Sequence, residues 1–178
     1  MTFKESQFRD LVEQHQSMVF SIALRVVGDR GAAEEVAQDA FLELHRALGK
    51  MESEDHVRFW LRRVTVNRAT DCLRRRAVRP EWKAEEWQEE SYSVLQDRFG
   101  ADARNGKVEM RLEEMVSSLP EVMRGAVVLR YQEDLDPDEI ANVLGQPVAT
   151  VKSNLQRGLG LLRRKANVML KEFRRERA

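Results

Sequence analysis

The sequence, 178 residues long, predicts an all-α protein of two small helical domains joined by a flexible acidic linker. Apolar residues recur at spacings of three and four almost throughout, and no alternating run marks a strand. Helix-start and helix-stop residues punctuate that period at regular places. The period lapses only from Pro80 to about residue 107, a Glu-rich stretch with Gly100 and Gly106 and no sustained apolar face. The predicted domains are therefore residues 1–79 and 108–178, with 80–107 as the tether.

The first helix carries the stripe Phe8, Leu11, Val12, His15, Met18, Val19, Ile22 and Val26, and the run Gly28-Asp29-Arg30-Gly31 breaks it. A second stripe, Val36, Ala37, Ala40, Phe41, Leu44 and Leu48, has Glu34 and Glu35 in its first turn, where the helix dipole favours acids, and Gly49 ends it. A third helix begins near Asp55, carries Val57, Trp60, Leu61 and Val64, and must stop before Pro80, whose ring disfavours a helical residue at Arg79. Trp82, Trp87, Tyr92 and Phe99 make the tether richer in aromatics than disordered linkers usually are, which suits docking on a module or a partner.

The helical period returns with Leu112, Met115, Val116 and Leu119, and Pro120 opens a helix carrying Val122, Met123, Ala126, Val127 and Leu129. Asp136 then sits at an N-cap position with Pro137 behind it and Asp138 and Glu139 following. The helix so started has about two turns before Gly145, the residue that most cheaply takes a left-handed turn. On the last helix Val148, Val151, Leu155, Leu159, Leu162 and Ala166 fall on one arc. Thr150, Ser153, Arg157 and Arg164 lie opposite, with Lys152 and Gln156 on a shoulder.

Composition narrows the function. No uncharged run approaches the roughly 18 residues of a membrane span, and the N-terminus lacks a signal-peptide pattern, so a soluble cytoplasmic protein without membrane insertion is expected. One cysteine, Cys72, allows no internal disulfide and no cysteine-cluster zinc site, and is expected to act as a small hydrophobe. No metal and no cofactor is expected. The net charge is zero, but its distribution is not even: residues 62–79 carry seven Arg against Asp71, residues 152–177 nine Lys or Arg against two Glu, and residues 81–115 ten acids against five bases. Such a bipolar chain would hold DNA weakly alone, because its acidic block repels the phosphates its basic blocks attract.

The two basic blocks differ in kind. A capped short helix, a Gly turn and a longer helix exposing Lys, Ser, Gln and Arg suit the major groove, where one helix fits and such side chains reach base edges. A solvated hairpin with a basic outer face is the alternative. In VRFWLRRVTVNRATDCLRRRAVRP, residues 57–80, Phe59 and Trp60 alternate with Arg, while Asn67, Asp71 and Arg74 share a ridge at i, i+4 and i+7. Arg with aromatics suits single-stranded nucleic acid, since stacking contributes about 1 to 3 kcal/mol per base. Flipping a base costs a few kcal/mol, so opening a duplex would also need the Arg contacts and a partner's help. Phe59 and Trp60 could equally be ordinary core.

The stretches AAEEVAQDAFLELHRAL, FWLRRVTVNRATDCLRRR and LPEVMRGAVVLRYQEDLDPDEIANVLGQPVATVKSNLQR, in this order and spacing, resemble the signature regions of bacterial extracytoplasmic-function (ECF) sigma factors, promoter-recognition subunits of RNA polymerase. The resemblance implies that the domains are sigma region 2 and sigma region 4. It implies contact of Glu35, Gln38 and Asp39 with the clamp helices of the largest polymerase subunit, and of region 4 with the flap. The three residues share a helix face, which would otherwise be a solvated acidic surface. It further implies capture of minus 10 bases by the loop at about 49–56 with Phe59, Trp60, Arg63, Asn67, Asp71, Arg74 and Arg75, and reading of minus 35 duplex by Thr150, Lys152, Ser153, Gln156 and Arg157. The remaining implied partners are promoter DNA and an anti-sigma factor, the chain having no appended sensor domain.

The chain departs from that pattern at Asn154, where many relatives have Arg, and at Gly158 and Gly160, each costing about 1 kcal/mol against Ala in a helix. A bend or fray after Arg157 is therefore expected, leaving Arg163 to Lys165 without a clear role. The competing function is a stand-alone helix-turn-helix transcriptional regulator, which would leave the Arg/aromatic helix and the Glu35 patch without work. A DNA enzyme would need a catalytic constellation, yet His15, His45 and His56 lie on separate elements, and His15 is expected to be a satisfied core histidine. No enzymatic activity is expected.

Overall fold

The computed structural model of the chain describes residues 7–78 and 111–175, and every described regular element is helical. The expected tether at 80–107 lies outside the described residues. Helix α1 spans Phe8–Val27 and stops at Gly28, whose φ of 71° is left-handed and whose N–H returns to the Leu24 carbonyl. Helix α2 starts earlier than its apolar stripe suggests. It spans Arg30–Ala47, because the Asp29 carboxylate accepts the Ala32 N–H at 2.8 Å and caps it. Asp29 and Gly31 thus belong to a helix start rather than a break, and Glu34 and Glu35 lie one turn deeper than expected. A 3-10 turn over Leu48–Lys50 leads to α3, Glu54–Val78.

The second half resumes with a helical segment over 111–117, here α4, and α5 spans Glu121–Tyr131 with Pro120 at its N-cap. Helix α6, Pro137–Leu144, carries a complete capping box: Asp136 accepts from the N–H groups of Asp138 and Glu139, and the Glu139 carboxylate accepts from the Asp136 N–H at 2.8 Å. Gly145, at φ 62°, ends it and turns the chain into α7, Val148–Arg175.

One of two apolar clusters is shared by the two halves. Helices α1, α2 and α3 pack on one another around Leu11, Val19, Ala40, Leu44, Leu48, Met51, Val57 and Leu61. A second apolar cluster runs without interruption from Ile22, Val26, Val36, Val66 and Ala69 of the first half into Leu119, Ala126, Val128, Leu129, Ile140 and Val151 of the second. Helices α1 and α3 touch α5, and α3 also packs on α6. Cys72 is half-buried against this shared core, as a small hydrophobe would be.

The expected bend after Arg157 is absent. Helix α7 runs unbroken to Arg175, and Gly158 is buried beneath α5, where an added Cβ would stand 3.0 Å from Val127 Cγ2 and 3.6 Å from Met123 Cβ. Gly158 is there to let two helices approach. Of the two glycines, Gly160 alone faces open space, since a Cβ added there would meet nothing within 4 Å. Arg163, Arg164 and Lys165 remain helical and exposed, and Lys165 Nζ donates to Ser118 Oγ.

Candidate nucleic-acid interface

The α6–turn–α7 unit presents its polar residues as its periodicity dictates. Val151 and Leu155 are buried, which turns Thr150, Lys152, Gln156 and Arg157 to solvent and leaves Ser153 half-buried. Asn154 is buried with them and packed inward. Val148, Leu159, Leu162 and Ala166, expected on the buried arc, are half-buried, the last two where the long helix runs out beyond the module beneath it. Its far end exposes Val168 and Leu170.

On α2, Glu35, Gln38 and Asp39 are all exposed, but they border different hollows. Glu35 and Asp39 face α3 across a cleft of about 460 Å³ that also holds Arg68, Cys72, Arg75 and Arg76. Gln38 lies on the other side, on an apolar groove of about 950 Å³ between α1 and α2 lined by Phe8, Val12, Phe20, Phe41 and Leu42. Ion pairs fix the α2–α3 wall: Arg68 with Glu43, and Arg76 with Asp29 at 3.0 Å.

Helix α3 divides its candidate residues among three surroundings. Phe59 is half-buried against the core shared by the two halves, and Trp60 against the core of the first half. Arg63 and Arg75 are exposed. Asn67, Asp71 and Arg74 come together with Thr70 along one wall of a cleft of about 370 Å³, whose opposite wall is Glu121, Val122, Gly125, Leu144 and Gln146. The ridge therefore faces the second half of the chain. Arg74 Nε donates to Glu121 Oε1 at 3.0 Å, and Arg74 also lies 3.6 Å from Asp71. One turn N-terminal to the ridge, Arg62 pairs with Glu133 at 2.9 Å, and both side chains are largely shielded from water. The loop holding Glu133 is closed by Asp134 at φ 54°, a left-handed conformation that Asp tolerates better than most residues.

Sequence periodicity does not single out Glu121, Arg124 or Glu133. Arg124 is the most consequential: it is 9% exposed, and its guanidinium donates to the carbonyls of Val26 at 2.5 Å, Leu119 at 2.8 Å and Ser117. Burial pulls its pKa down and neighbouring Glu121 opposes that shift. A charged residue at i, with Val127 and Val128 at i+3 and i+4, is the one available sign that it points inward. His15 is buried as expected but not satisfied. Its Nε2 has no hydrogen-bond partner, and burial first, then the charges of Arg58 and Arg62, push its pKa below the ordinary value, with Glu54 working the other way.

Residues 11–79 match the Sigma-70 region 2 family, and residues 109–162 match the family described as Sigma-70, region 4. The RNA polymerase sigma-H factor of Pseudomonas aeruginosa is 30% identical over 168 residues, 91% of this chain and 87% of that one. The ECF RNA polymerase sigma-E factor of Escherichia coli is 31% identical over 161 residues, 86% of this chain and 83% of that one. Among solved structures, the sigma factor RpoE of Bartonella quintana, crystallised with the anti-sigma factor NepR, has the same fold. Its TM-score is 0.66 at 15% identity, over 91% of this chain and 98% of that one. A region 2 core followed by a capped helix-turn-helix of region 4, at this identity across most of known members' length, makes the chain a member of the ECF family of RNA polymerase sigma factors.

Proposed function

We propose that the chain binds core RNA polymerase in the cytoplasm and directs it to promoters, reading minus 35 duplex with α7 and capturing opened minus 10 bases with α3. In this reading residues 1–79 act as region 2, 80–107 as the linker and 108–178 as region 4. The observation that carries it is the α6–Gly145–α7 unit, whose buried Val151 and Leu155 force Thr150, Lys152, Gln156 and Arg157 outward on the first turns of a helix. A helix so presented fits the major groove, with Arg157 and Gln156 able to reach base edges and Lys152 a phosphate.

Glu35, Gln38 and Asp39 serve as the polymerase contact, since an acidic exposed helix face complements a basic helical partner and costs nothing internally. Asn67, Asp71, Arg63, Arg74 and Arg75, with Phe59 and Trp60 behind them, hold the displaced strand once polymerase aids melting. The chain itself makes and breaks no bonds, and its access to polymerase is controlled by an anti-sigma factor. Run-off transcription with purified core polymerase and a genomic promoter library tests this: specific transcripts are expected only when the chain is added. Transcripts that do not depend on it, or no binding to core enzyme, would reject the proposal.

A further inference from the structure

The groove of about 950 Å³ between α1 and α2 is apolar along most of its length. Phe8, Val12, Phe20, Phe41 and Leu42 line it, and its charged place is held by Arg30 and Glu34, paired with each other at 2.9 Å. Leu42 is 56% exposed at the lip, so the wall continues outward as apolar surface. The far end is already shaped, because the Phe8 ring meets His45 edge-on with centroids 5.0 Å apart.

The chain leaves for residues 79–110, and returns from them, at the opposite end of the same helix pair. Helix α3 stops at Val78, and two residues earlier Arg76 is paired with Asp29, the N-cap of α2 and the neighbour of Arg30. On the return, Glu113 of α4 stands 3.9 Å from Arg25 in the last turn of α1. From Val78, four extended residues reach about 13 Å, enough to carry Trp82 round the start of α2 to the mouth at Phe20 and Arg30. From Arg30 to Phe41 the groove follows α2 for about 17 Å, and the stretch from Trp82 to Trp87, when extended, covers about the same distance.

We propose that this groove is the seat of the chain's own tether, with Trp82 at the Phe20 mouth and Trp87 among Phe8, Phe41 and Leu42. Each indole brings a large flat apolar surface that the aromatic walls take out of water, and covalent attachment holds it near the groove at roughly millimolar effective concentration. The acids around the two tryptophans, Glu81, Glu85, Glu86, Glu89 and Glu90, stay at the open rim in water. The seat does not depend on the assignment of any DNA-reading surface.

The full chain labelled with 5-fluorotryptophan tests it by fluorine NMR, with Trp60→Phe, Trp82→Phe and Trp87→Phe assigning the three resonances. In the wild type, Trp82 and Trp87 are expected to lie away from the solvent-exposed position and to shift little between H2O and D2O. Gln16→Glu with Leu42→Glu, at two exposed groove residues, sets charge in the apolar wall against an acidic tether. Both resonances should then move to the solvent-exposed position, while Trp60, half-buried in the core of the first half, stays in place and reports an intact fold. Where Trp60 moves as well, Gln16→Glu alone is read in the same way. Gln14→Glu, exposed on the other side of α1, should move neither tether resonance. Solvent-like Trp82 and Trp87 in the wild type would overturn the seat and leave the groove to a separate partner. Buried signatures that survive the groove variants would overturn it by placing the tether elsewhere, and signatures that fade on dilution would assign the groove to a second copy of the chain.

Discussion

The guanidinium of Arg124 hydrogen-bonds the carbonyl of Val26, 98 positions earlier, and so ties α5 to the last turn of α1. That carbonyl belongs to a helix C-terminus, where unpaired carbonyls and the negative end of the dipole favour a cation. With the Leu119 and Ser117 carbonyls also on the fork, one side chain closes the start of α5 and the seam between the halves together.

Arg124→Ala strips those carbonyls of their donor and leaves a void, and should lower unfolding stability by about 2 to 4 kcal/mol. Arg124→Lys keeps the charge but cannot span three acceptors, and should recover less than half of the loss. Urea midpoints of the two variants check this. Equal stability of Arg124→Ala and wild type would mean the buried fork contributes nothing.

Acidification should weaken the fold through His15. Its folded-state pKa is pushed below the ordinary 6.5 by burial and by Arg58 and Arg62, so the unfolded chain takes up the proton first as pH falls. Stability attributable to this group is complete above about pH 6.5, declines below it, and stops declining once the folded form is itself protonated. Urea unfolding from neutral to mildly acidic pH should show a shallower decline for His15→Leu than for wild type. Superimposable pH profiles would sink the assignment.

Two glycines of α7, two residues apart, should respond in opposite directions to the same change. Gly158→Ala puts a methyl 3.0 Å from Val127 Cγ2 and should destabilise by about 1 to 3 kcal/mol despite the better helix former. Gly160→Ala meets nothing within 4 Å and should stabilise by up to about 1 kcal/mol. Thermal melts of both variants decide it, and a shift of the same sign in each would contradict the packing described.

Arg157→Ala should weaken recognition of the upstream promoter element by about 1 to 3 kcal/mol and relax base preference there, if the side chain reads a base. Run-off assays on promoters altered at that element measure it, and an unchanged preference removes Arg157 from the reading set. Asn67→Ala should slow open-complex formation, followed by permanganate footprinting, while leaving binding to core polymerase intact. Loss of polymerase binding instead would reassign the ridge.

What can be read from the residues in order is whatever is settled within a turn or two of chain. Gly28 and Gly145 adopt φ 71° and 62° because each must reverse a helix end without a Cβ penalty. Asp136, Pro137 and Glu139 start α6 with backbone N–H groups a few atoms away, and Val151 with Leu155 turn Thr150, Lys152, Gln156 and Arg157 outward by helical spacing alone. Asp29 misleads for a related reason: a Gly-flanked Asp looks like a turn until its carboxylate is seen on the Ala32 N–H.

The closing of the second half over α3 was decided by tertiary structure. Arg62 and Glu133 stand 71 residues apart and Arg74 and Glu121 47 apart, so no local period distinguishes them from solvated charges. Gly158 shows the same division within one residue, since helix propensity marks it as a weak point while the proximity of Val127 makes it the one residue small enough for the place. Caps and apolar stripes act over distances the chain cannot vary, whereas ion pairs and close approaches across the seam exist only after folding has chosen which helix faces meet.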